Sequence, residues 1–294
     1  MPARVPRKKK PIKLRTPRKP HQQTKRHASG PNKLPMSGSE PLYSELEYGT
    51  RAGKDNNNCY GYAIGSYRVA GGIKLQPGNL SRQTSNRDAS SCPFLNDRVM
   101  DDNRRRGIYR VPAGKRCRKG YYKIMSFIDP GNDYHWYAQH GSLLYHVLPG
   151  ETRATIARKF RVPLKSVVTP KTEVRPGDMV YVRKAGVFGH KQGFATGPLL
   201  VDASNKVIPD PRKANRNYGA YNYKKHCGTY CISDIPGAMS SQPSRPEARA
   251  LQSLLNKNVR LLNSERKQPG QLLGRSAKVQ RNNANKLQVQ NIRP

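Results

Sequence analysis

Cys59 stands in the run Asp55-Asn56-Asn57-Asn58-Cys59-Tyr60-Gly61-Tyr62-Ala63. A Cys that follows a polar turn and opens a short helix is placed as a thiol nucleophile would be. A helix N-terminus carries about half a positive charge, which favours thiolate over thiol. Asn58 supplies a helix cap, while Gly61 and the two Tyr lower helix propensity. The competing reading of an isolated Cys is a packed structural thiol. A nucleophilic Cys needs a base, and the base needs an orienting group.

The chain has 7 His. His21 and His27 lie in a basic leader, His226 sits beside a Cys pair, His146 belongs to the unit over 143–183 and His140 lies at its insertion point. His135 and His190 are left on two short strand-like runs, Asp133-Tyr134-His135-Trp136-Tyr137 and Val187-Phe188-Gly189-His190-Lys191. The first follows the strand Tyr121 to Ile128 through the turn Asp129-Pro130-Gly131-Asn132 and reads as the return of a hairpin. A helix is expected from Phe94 to Asn103, within a polar loop spanning 71–106. Another strand is expected from Val201 to Asp210, and a Tyr-rich closing segment over 217–233.

Between the two His runs, residues 143–183 form a unit of their own. Leu143 to Val147 reads as a strand, and Pro149-Gly150-Glu151-Thr152 as a turn that caps a helix. Ala154, Ile156, Ala157 and Phe160 give that helix an apolar face. Val162-Pro163 breaks it, Leu164 to Val168 reads as a second helix, and Met179 to Val182 as a strand. The string YHVLPGETRATIARKFRVPLKSVV…VRPGDMVYV resembles a LysM module. It departs from the family's pattern at Arg153, at Thr169-Pro170-Lys171 and, mildly, at Glu151. The resemblance implies binding of N-acetylglucosamine polymers in a groove, with Gly150, Glu151 and Thr152 on one side and Val168, Thr169, Pro170 and Lys171 on the other.

The end strands of such a βααβ unit pair with each other, so it can be inserted in a hairpin loop without parting the strands around it. With residues 141–186 removed, DYHWYAQH runs directly into VFGHKQG, and the two His fall on adjacent strands. A helix-borne Cys, then a strand His, then a polar residue on the next strand is the order of NlpC-type papain-like hydrolases, which the chain resembles over roughly residues 55–232. It also resembles phage and bacterial proteins with the pattern NNCYxYA, YHWY and HKxG, and virion proteins of large DNA viruses. Tyr60-Gly61 follows Cys59 where the hydrolase family has Ser-Gly. The resemblance implies that Cys59 attacks an amide carbonyl, His135 shuttles the proton and His190 orients His135. Asp210 is a second candidate orienter, and by the same resemblance Asn58 helps to hold the oxyanion.

The fold class expected is α+β: a papain-like domain with an antiparallel sheet (41–142 and 184–234), interrupted by the 143–183 module. A Pro-rich basic tail (1–40), a linker with an amphipathic helix (235–265) and a second basic tail (266–294) flank it. The helix is marked by the capping box at Ser244 and an apolar stripe from Ala248 to Leu262. The 294 residues carry a formal net charge of +37, and only 35% are hydrophobic, so part of the chain is expected to lie outside a packed core. Arg7, Lys8, Lys9, Lys10, Arg18, Lys19, Lys25 and Arg26 form a segment suited to nucleic acid or another polyanion.

No apolar run follows the charged N-terminus and no stretch approaches the roughly 20 apolar residues of a membrane span, so neither an export signal nor a transmembrane segment is expected. The 5 Cys then point to synthesis in a reducing interior with at least one free thiol. Cys227 and Cys231 are expected as buried thiols rather than as a zinc site with Cys92, Cys117 or His226. No cofactor is implied. The leading expectation is a thiol-dependent amidase or peptidase acting on a cell-wall-type polymer, in a virion or cytoplasmic at synthesis and released by lysis. Its rival is a non-enzymatic virion component whose tails contact capsid proteins, membrane or genome.

Overall fold

The computed structural model of the chain describes residues 33–46, 48–65, 74–83, 90–193, 195–233 and Ser253. The basic runs of residues 1–32, the 235–265 segment apart from Ser253, and the second basic tail lie outside the described residues. In chain order the elements are β1 (Leu42–Tyr43), α1 (Arg51–Asp55), α2 (Cys59–Ala63), α3 (Cys92–Asp102), β2 (Tyr109–Arg110), β3 (Tyr121–Asp129), β4 (Asp133–His140), β5 (Ser142–His146), α4 (Arg153–Lys159), β6 (Val167–Val168), β7 (Met179–Val182), β8 (Val187–Lys191), β9 (Pro198–Leu199) and β10 (Lys225–Ser233). A six-stranded antiparallel sheet runs β2-β10-β3-β4-β8-β9. A four-stranded sheet runs β1-β5-β7-β6, antiparallel except where β1 lies parallel to β5. The described residues are therefore α+β with few helices. Among the described residues no helix is long and apolar enough to cross a membrane.

The larger sheet is covered on both faces, which is why β3 and β4 are buried along nearly their whole length instead of at alternate positions. On one face Ile124, Ile128, Trp136 and Ala138 pack against α2 and α3 through Tyr60, Ala63, Leu95 and Val99. On the other, Met125, Phe127, Tyr137 and Phe188 meet Leu34, Ile208 and Tyr223. Removing a ring such as Phe127 from this second layer would cost about 3–5 kcal/mol. The smaller sheet buries Leu143, Val180 and Val182 against Ile156 and Phe160 of α4. Thr152 caps α4 and closes a reciprocal pair of bonds with Thr155.

Pairing within each sheet fixes where the chain passes from one to the other. His140 pairs with Val187 and Ala138 with Gly189 across β4 and β8, so residues 141–186 leave and rejoin the larger sheet at neighbouring points. Within that excursion β5 pairs with β7 from Leu143↔Val182 to His146↔Met179.

Four local expectations are corrected. The stretch Leu164 to Val168 is a single 3-10 turn over Leu164–Ser166 followed by β6, because the β-branched Val167 and Val168 find strand partners on β7. Val201 to Asp210 is not a continuous strand: Val201 and Val207 form one bridge around the turn at Asn205, and Pro211–Lys213 is a 3-10 turn. Residues 33–40 do not belong to a free tail. Leu34 is buried, its carbonyl accepts from Gln139 Nε2 at 3.1 Å, and Lys33 Nζ donates to Phe160 O at the end of α4 at 2.6 Å.

The fourth correction concerns sulfur. Cys92 is bonded to Cys227 and Cys117 to Cys231, so the expected buried thiols are two disulfides that tie β10 to α3 and to the loop before β3. Nothing in the spacing pairs residues 135 and 114 positions apart; the sheet brings them together. Cys59 is the free cysteine, and it is buried.

Candidate active site

The site begins with how α2 is held. Asn58 caps it, its Oδ1 accepting from Gly61 N at 2.9 Å, and Gly65 ends it in the left-handed region at φ 72°. Asn58 Nδ2 donates to Leu75 O at 2.8 Å, so the amide expected for an oxyanion is engaged in the fold. Tyr122 Oη donates to Ala63 O at 3.1 Å, and Tyr60 Oη donates to Asp102 at 2.8 Å. The buried Arg106 guanidinium joins the carbonyls of Ile64 and Ser233, locking the end of α2 to the end of β10. Tyr62 Oη lies 2.7 Å from His140 Nε2, over Gly189, where a Cβ would come within 2.5 Å of that hydroxyl. Glycine at 189 thus lets α2 approach β8 closely.

These ties set Cys59 beside the backbone of β4. Its Sγ donates to Tyr134 O at 3.9 Å, a long sulfur contact, and the Trp136 N–H also faces it. Those two groups flank His135. Cys59, Asn58, Asp133, Tyr134 and His135 line a cleft of about 780 Å³ together with Tyr218, Tyr221 and Tyr223.

His135 Nε2 and His190 Nδ1 are 2.9 Å apart, and His190 Nε2 is 2.9 Å from Val201 O. A carbonyl only accepts, so His190 carries its proton on Nε2 and presents a bare Nδ1. His135 must then donate from Nε2, which leaves the lone pair of its Nδ1 as the basic atom. The acceptor that orients His190 is a backbone carbonyl. Asp210 is buried but held by Arg212, at 2.7 Å and 3.0 Å, and caps the Pro211–Lys213 turn.

Burial dominates the proton affinities. It pushes the Cys59 thiol up to about 12, with the Asp133 carboxylate adding to the rise and the backbone N–H groups of Trp136, Tyr60 and Cys59 opposing it. The expected helix-end preference for thiolate is therefore overturned: α2 has only five residues, and desolvation of the sulfur outweighs it. Burial, then His190, holds His135 well below its ordinary value, and burial lowers His190 to about 4. At neutral pH the three groups rest uncharged.

Two residues in or beside the site were given no role by the sequence reading. Tyr223 stacks on His135 with centroids 4.8 Å apart and planes 24° apart, and its hydroxyl donates to Asp133 at 2.8 Å. The alternation that sets Asp133 and His135 on one face of a strand was legible; the arrival of the Tyr-rich segment over that face was not. Lys191, next to His190, is buried with its Nζ on Lys54 O at 3.0 Å, and burial followed by Lys74 lowers it to about 8.

In the smaller sheet the residues expected to line a groove are engaged locally. Glu151 accepts from Tyr145 Oη, Leu148 N and Lys159 Nζ. Gly150 takes a positive φ of 76° and Thr152 caps α4. Val168 and Thr169 are buried, Pro170 is half-buried, and Lys171 pairs with Asp178 at 2.5 Å. Arg153 spans the two sides, its Nη2 donating to Val167 O at 3.3 Å. Among the described residues no group of three His, Cys, Asp or Glu side chains is arranged to hold a metal ion.

Compared with family models, with curated proteins and with solved structures, the chain matches none.

Proposed function

We propose that the protein is a cysteine amidase or peptidase of the Cys-His-His type, similar to NlpC-type papain-like hydrolases, acting on a cell-wall-type polymer. The observation that carries this reading is the relay His135–His190–Val201 O, whose first member lines the same cleft as Cys59. The relay leaves one basic atom, His135 Nδ1, and a hydrogen-bonded means of bearing the charge that the atom gains. In the reaction the Cys59 proton moves to Nδ1 as sulfur attacks the amide carbon. The C–N bond then breaks and Nδ1 returns the proton to the departing amine. Water cleaves the resulting thioester, releasing a carboxylate and restoring the thiol. The test is release of soluble fragments from purified peptidoglycan: Cys59→Ala should abolish it with the thermal midpoint retained, and equal release by the variant would end the reading.

The smaller sheet, read as a LysM-like module, supplies attachment to N-acetylglucosamine polymers. Arg153 crosses the proposed groove, so Arg153→Leu should strengthen binding to a chitin oligomer. The basic terminal segments supply attachment to nucleic acid or another polyanion. Retention on immobilised DNA should fall steeply with salt and should weaken further when residues 1–32 are removed. This set of parts suits a virion-associated or lysis-associated enzyme.

A second reading rests on the buried, neutral state of Cys59. A thiol held that high is inert without its base, which suits a virion component that keeps the fold and has lost the activity. It predicts that Cys59→Ala changes neither particle assembly nor wall degradation.

A further inference from the structure

We propose that Tyr223 is a positioning residue for His135, holding its ring against the cleft and stabilising the imidazolium that forms when Cys59 gives up its proton. The proposal rests on the amidase reading above and assigns a part of that site which the Cys-His-His set does not include.

The argument starts from strand geometry. Asp133 and His135 are two apart on β4 and project from the same face. Tyr223 bridges them, with its ring flat on the imidazole and its hydroxyl on the Asp133 carboxylate. Its other ring neighbours meet the imidazole edge-on or tilted: Tyr137 at 5.0 Å and 79°, His190 at 5.0 Å and 76°, and Tyr218 at 6.0 Å and 51°. The stack on Tyr223 therefore sets the tilt of the ring about the bond to His190. A phenol that donates to a carboxylate is enriched in electron density, and its face attracts a cation placed over it. The proton leaves Cys59 Sγ and arrives at His135 Nδ1, so the charge appears on the ring that Tyr223 covers. The titratable and charged groups around that ring are Asp133 on the same strand, His190 on β8, and Tyr218 and Tyr223 from the overlying segment, with Tyr137 beside them. Of these, Asp133 and the imidazolium carry charge in the reacting state.

Alkylation of Cys59 by iodoacetamide in the full chain tests this without a known substrate. Between pH 6 and pH 8, a thiol deprotonated by a neutral imidazole reacts at a rate with a pH-independent component. His135→Ala should remove that component and leave a rate rising about tenfold per pH unit. Tyr223→Leu should keep the component and lower it roughly tenfold, and Tyr223→Phe, which retains the ring, should restore most of it. If Tyr223→Leu does not fold, Tyr223→Met fills the volume without a ring and should show the same loss. A folded Leu or Met variant with the wild-type rate overturns the positioning role alone. A wild-type rate with no pH-independent component overturns the amidase reading itself.

Discussion

His135 Nε2 lies 2.9 Å from His190 Nδ1, although the two residues are 55 positions apart and a second sheet is built between them. The contact forms because β4 and β8 pair at their far ends, at His140↔Val187, and the excursion between them returns to where it left. It makes His190 the group whose loss is most informative. His190→Ala leaves the His135 N–H without its acceptor and frees the ring to turn. On the proposed amidase reading, activity on a cell-wall polymer should fall by about a hundredfold, with about 1–3 kcal/mol of stability lost in urea unfolding. His190→Asn, which keeps an acceptor, should retain more of both.

Stability should decline on mild acidification. His140 and His190 are both lowered by burial to about 4 from an ordinary value of 6.5. A folded-state value below the unfolded one means that the unfolded chain binds protons first. The stabilisation is complete above about pH 6.5 and is lost as pH falls through 4. Each group contributes on the order of 3 kcal/mol over that window. Urea midpoints measured from pH 7.5 to pH 4 should fall, and His140→Gln should make the slope shallower. A flat profile would contradict the buried, neutral state of both rings.

Asp133 raises the thiol, second only to burial. Asp133→Asn should bring the Cys59 ionisation below about 12, followed as thiolate absorbance near 240 nm. No movement of the midpoint would show that burial alone sets the thiol.

The disulfides give a count that can be checked by mass. Denatured without reductant, the chain should take up one iodoacetamide adduct, on Cys59; after reduction it should take up 5, one for each Cys. Cys117→Ala with Cys231→Ala removes a bridge across 114 residues and should cost about 2–4 kcal/mol. A reductant should therefore lower the thermal midpoint, even though thiol chemistry at Cys59 itself needs a reduced sulfur.

By itself the sequence determined what is local. An aromatic and apolar run marked β3, the turn after it made β4 the returning strand, and Thr152 with Ile156 and Phe160 specified α4. The α+β class followed from those elements, because propensity and periodicity act over a few residues. Only the tertiary structure decided the rest. The pairing of Cys92 with Cys227 and Cys117 with Cys231 depends on where β10 lies. The conversion of 164–168 from helix to turn and strand depends on β7 being there to pair. The stack of Tyr223 on His135 depends on a segment nearly ninety residues downstream folding over β4. The charge state of Cys59 is of the same kind: a five-residue helix favours the thiolate, but burial in the cleft wall exacts a desolvation cost that no reading of neighbouring letters contains.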